Sequence, residues 1–69
     1  MKLYKTSEGT FNVDGKEFSL RDLFINCEKL GLDSKDLEYG LVVMMLNDHN
    51  VADFGDMHGT FLFSEKVSA

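Results

Sequence analysis

The densest set of side chains that could do chemistry is Asp48-His49-Asn50, followed by Asp53, Asp56 and His58. Carboxylates and imidazoles are ligands for zinc, manganese or iron, and a turn could gather His49, Asp53, Asp56 and His58 around one ion. The spacing matches no established site. No His-x-x-x-His pair stands on a helical face, and the one cysteine, Cys27, lies well outside the cluster. The acids also miss the calcium-loop pattern, which places ligands at alternate positions and closes on a Glu. A helix end and a polar turn account for the same residues. Metal binding, or a metal-dependent enzyme, is therefore the alternative reading, and no cofactor is expected.

Other reactive types fare no better. Cys27 follows Leu23 and Phe24 and precedes Leu30 at helical spacing, which marks a small buried hydrophobe. A catalytic thiol needs an exposed, electropositive setting. Ser7, Ser19, Ser34 and Ser64 lack a nucleophile-elbow context. Gly55 and Gly59 bracket a polar turn, but a phosphate cradle also needs a Lys that is missing there. Tyr4 and Tyr39 are the rings on which a base could stack, which leaves a small-nucleotide-binding oligomer as a further alternative. No catalytic machinery is legible, and the chain is read as a binding protein rather than an enzyme.

Charge narrows the partner. Seven Lys and Arg face twelve Asp and Glu, for a net charge of −5. Nucleic-acid affinity comes largely from bases that neutralise phosphates, so direct binding to nucleic acid is not expected. From Asp36 to Ser64 there is no Lys or Arg, while Asp36, Glu38, Asp48, Asp53 and Asp56 fall inside. That segment carries the excess of acid. It reads as a docking surface for a protein with a basic patch, with Phe54 or Met57 as apolar anchors where exposed. Size and charge give the chain the general character of the small acidic proteins with which viruses and mobile elements block host machinery.

The elements that must position these residues follow from local pattern. Asp14-Gly15 supplies the positive φ angles of a type I′ turn between alternating flanks. A two-residue loop there sets Val13 opposite Lys16 and Phe11 opposite Phe18. A strand can start near Lys2 to Lys5, but Ser7-Glu8-Gly9 interrupts it. Ser19 caps a first helix that runs to about Leu30, and Gly31 stops it. Asp33 or Ser34 caps a second helix reaching about Asp48. Leu41 to Leu46 is apolar all round, so burial on more than one side is expected, against the sheet and first helix or against another subunit. Val51 to Phe54 and Thr60 to Phe63 read as two short strands, followed by an edge extension or a frayed tail.

The expected fold is a single α+β domain over residues 1–69, in the order β-β-α-α-β-β. Two hairpins form a small antiparallel sheet packed on two antiparallel helices. Phe11, Val13, Phe18, Leu23, Phe24, Cys27, Leu41, Met45, Phe61 and Phe63 should supply much of the core. With 43% apolar residues and six Phe a core is available, yet ordering costs roughly 1.5 kcal/mol per residue and leaves so short a chain little margin. A homo-oligomer fits that thin margin. One cysteine and no signal-like or membrane-length apolar run suggest a soluble cytoplasmic protein. The functional expectation is a small acidic module, an inhibitor or adaptor, that docks through residues 36–64.

Overall fold

The computed structural model describes residues 1–55 and 59–68. Its strands are β1 (Lys2–Lys5), β2 (Phe11–Val13), β3 (Lys16–Phe18), β4 (Val51–Phe54) and β5 (Phe61–Glu65), and its helices are α1 (Leu20–Ile25) and α2 (Ser34–Leu46). The strands form one antiparallel sheet in the order β3-β2-β1-β4-β5. The α+β class with an antiparallel sheet and two helices is as expected. The layout differs in one respect, because β1 is a full strand and sits at the centre. Thr6 and Thr10 close the β1–β2 turn through a backbone bond of 2.9 Å. The polar break at Ser7-Glu8-Gly9 is thus the turn itself.

The β2–β3 hairpin forms as its sequence dictates. Asp14 and Gly15 take φ of 52° and 83°, and the pairs Phe11↔Phe18 and Val13↔Lys16 follow. The mirror-image turn matches the right-handed strand twist. The Asn12 side chain accepts the Gly15 N–H at 3.1 Å and holds the loop.

Ser19 caps α1 by accepting the Asp22 N–H at 3.1 Å. The helix ends at Ile25, short of the Leu30 expected from spacing. Asn26 is its C-cap, with the backbone N–H and the side-chain amide both donating to the Asp22 carbonyl, at 2.9 and 2.8 Å. Asp33 caps α2, accepting the Lys35 N–H at 2.9 Å. At the other end Asp48, at φ 54°, closes a Schellman motif. There His49 N–H reaches the Met44 carbonyl at 2.8 Å, and Asp48 N–H reaches Met45 at 3.3 Å.

Both helices cover one sheet face. Leu3, Phe11, Val13, Ala52 and Phe54 of the sheet meet Leu23, Leu37 and Met44 of the helices, with Cys27 and Leu32 from the connection. Phe18, Phe24, Leu41 and Phe61 pack against this core partly buried. Gly40 brings α2 close to the sheet: a Cβ there would stand 2.7 Å from Phe54 and 2.8 Å from Phe61.

Two expected core residues lie elsewhere. Met45 is 73% exposed, because α2 is covered only along Leu37, Gly40 and Met44 and Met45 points away. Phe63 pairs with Asp53, one residue out of phase with the buried Ala52, and so faces the helix-free side of the sheet. Just beyond β5 the edge is extended at Val67, whose two backbone groups bond Asn50 at 2.7 and 2.8 Å. Among the described residues, no helix is long and apolar enough to cross a membrane.

Candidate functional site: an apolar groove between the helices

α1 packs against β3, while α2 packs against β4 and β5. The two helices therefore stand over opposite halves of the sheet, and a groove of about 250 Å³ remains between them. Leu20 and Phe24 form its α1 wall, and Leu41, Val42, Met44 and Met45 its α2 wall. Phe11 lies at its floor, with Lys5, Glu38 and His49 as the polar groups that reach it. Concave, apolar sites with a few convergent polar groups are the usual form of binding sites.

The groove exists because of two local facts. The six-residue α1 is too short to lie along α2 and seal the gap. The second helix offers apolar side chains on sides the sheet does not reach, so Leu41 to Leu46 is buried on one side only. His49 is held at one end by a 2.6 Å hydrogen bond between its Nδ1 and the Ser64 hydroxyl. That contact fixes the ring after α2 turns into β4.

The residues singled out by sequence are dispersed. Asp36 and Glu38 stand in the first turns of α2, and only Glu38 reaches the groove. Asp48 lies in the turn after α2 and bonds Lys66 at 3.0 Å. That ammonium, first through the hydrogen bond and then through its charge, holds the Asp48 carboxyl below the usual carboxylate range, with smaller help from Lys5 and His49. Asp53 lies on the helix-free sheet face, opposite Lys2 and Phe63, with its carboxylate 3.8 Å from the Met1 amine. Strand alternation places it away from Asp36 and Glu38.

Phe54 corrects an expectation. It is 0% exposed under Gly40 and edge-on to Phe61, so it is a core residue and no surface anchor. Asp56, Met57 and His58 lie outside the described residues. Of the alternative metal set, His49 is engaged with Ser64 and Asp53 faces the other side of the sheet. No group of three metal-ligating side chains occurs among the described residues. Tyr4 is likewise on the helix-free face while Tyr39 stacks edge-on to Phe61 at 5.4 Å, so the two rings do not flank one site.

Sequence reasoning missed the groove itself. Its one legible signal was the all-round apolar run of α2. Compared with known proteins, the chain matches no family model, no curated protein and no solved structure.

Proposed function

We propose that this domain is an interaction module that takes an apolar segment of another protein into the groove between α1 and α2. The observation that supports it is the groove's lining, in which Leu20, Phe24, Leu41, Val42 and Met45 converge on one open concavity. Glu38 at the rim and the net charge of −5 favour a partner whose apolar segment is flanked by bases. Such a module acts by occlusion, covering a surface its partner uses elsewhere, as an inhibitor or adaptor does. The acidic residues then steer the encounter while the groove supplies the contact that lasts.

Leu20 is 51% exposed, so a charge there leaves the core intact. Leu20→Glu is expected to lower capture of the partner from host lysate at least about tenfold, with an unchanged melting temperature. Glu38→Lys should weaken capture less and make it less sensitive to salt. Recovery of the same proteins by wild type and Leu20→Glu, in the same amounts, would overturn this function.

A further inference from the structure

The groove's α2 wall has a polarity along its length. Glu38, Leu41, Met45 and His49 follow one another at spacings of three and four, so they make one stripe. The stripe starts on a carboxylate, is apolar in its middle and ends on an imidazole. Its ends lie roughly 15 Å apart by helical rise. Lys5 stands at the His49 end. Strand pairing sets it opposite Phe11, the groove's floor, so this lysine lies on the helix-covered face of the sheet in line with Leu3. Among the described residues its ammonium has no ion pair and no hydrogen bond. Nε2 of His49 is also without a partner there, because the contact with Ser64 uses Nδ1.

Lys5 and His49 line a second, polar recess as well, so the apolar groove opens into it at this end. Three connections ring the recess: Ser7 comes from the β1–β2 turn, Asp48 from the turn after α2, and Lys66 from beyond β5. Its walls hold two ammonium groups against one carboxylate. Asp48 engages Lys66 at 3.0 Å, which leaves Lys5 as the charge without a counterion, in a chain whose net charge is −5.

We infer, on the reading that the groove takes an apolar segment of a partner, that this segment is a chain terminus whose free α-carboxylate sits at Lys5 and His49. A carboxylate brings one negative charge and several acceptor sites, and the Lys5 ammonium, the His49 Nε2–H and the Ser7 hydroxyl are the donors that meet it. Converging donors of this kind are a recurrent way to capture a terminal carboxylate. A continuing chain has to climb out over the ringed recess, whereas a terminus stops in it. At the far end Glu38 takes a basic side chain, which puts the partner's flanking base before its apolar residues. An extended strand advances roughly 3.3 Å per residue, so about five residues fill the span. The carboxyl end of α2 is by itself unfavourable to an anion. That effect is the smaller one, since the Schellman closure satisfies the last carbonyls and Lys5 carries a full charge.

Two pools of acetylated pentapeptides test it, each a lysine followed by four positions mixed among Leu, Val, Met and Phe. One pool ends in the free acid and the other in the amide. Backbone amide resonances of the isotope-labelled protein read the binding. The free-acid pool should shift Lys5, Phe24 and Met45, and the amide pool should bind about tenfold more weakly. Lys5→Met keeps the apolar stem and removes the charge. It should bring the free acid down to the level of the amide, leave the amide pool unaffected and keep the melting temperature. Equal binding of the two pools would overturn the inference, as would a Lys5→Met variant that still prefers the free acid. In both cases the groove remains a site for an apolar segment, entered by an internal stretch of chain. No shift with either pool would also overturn it, and partner capture by Leu20→Glu then decides whether the groove's own role falls too.

Discussion

Asp48 does three jobs at one position. It takes the left-handed conformation that closes α2, it lies beside His49, and it bonds Lys66 from the segment after β5. Its carboxyl is held low by Lys66, so the native state favours the ionised form. A group whose folded pKa is depressed contributes stability above its unfolded pKa and loses it as pH falls through the folded value. The bridge is therefore in place at neutral pH and is released on the acid side of the ordinary carboxylate range. A carboxyl-carbon NMR titration should find Asp48 titrating below free aspartate, and Lys66→Met should move it back up. An unchanged midpoint in Lys66→Met would show that the bridge does not form in solution. Because the pair is exposed, its contribution to stability is small.

At the scale of elements, the closest approach is α2 on the sheet at Gly40. Alanine there gains about 1 kcal/mol of helix propensity. Its Cβ must enter space held by Phe54 and Phe61, and overpacking of that kind costs about 1–3 kcal/mol. The core should win, and Gly40→Ala should lower the urea midpoint. A higher midpoint would mean that the two rings yield freely. The hairpin at Asp14-Gly15 was legible because turn chemistry and alternation are local. So were the caps Ser19 and Asp33, each a single side chain bonding a nearby N–H. The central place of β1 was not legible, since it depends on pairing with β4 across both helices. The end of α1 at Ile25 was hidden because apolar spacing runs on through Cys27 and Leu30, which pack from the connection instead of from the helix. An apolar run with no polar side carries no phase, so it could not say which face of α2 the sheet would cover. The acidic residues dispersed because they fall on different elements: Asp36 and Glu38 on α2, Asp48 in the turn after it, and Asp53 on the helix-free face of β4.

The molecule as a whole is locked where its two connections meet. Gly59, in the β4–β5 connection, sits against the α1–α2 connection, and a Cβ there would collide with the Gly31 carbonyl and stand 2.6 Å from the Leu32 Cα. These are backbone atoms and cannot swing aside. Its φ of 62° adds the left-handed penalty, roughly 1–2 kcal/mol for a residue with a Cβ. Gly15 has a positive φ too, but nothing lies within 4 Å of its would-be Cβ. Gly59→Ala should therefore cost at least about 2 kcal/mol in chemical denaturation, and Gly15→Ala clearly less. Equal losses at the two sites would mean that the connections do not touch. The groove shares this dependence on the whole, because it is a gap between elements and no single segment encodes it.

The central position of β1 has a consequence for the order in which the chain can become whole during synthesis. β1, β2 and β3 are neighbours in sequence and can zip into a meander as soon as they leave the ribosome. One side of β1 must then wait, with its main-chain groups unpaired, while both helices are made and β4 emerges. Through that interval the nascent protein carries an open strand edge beside Leu3, the residue that later lies at 0% exposure in the core. The step that ends its vulnerability to wrong partners is the arrival of Val51 to Phe54.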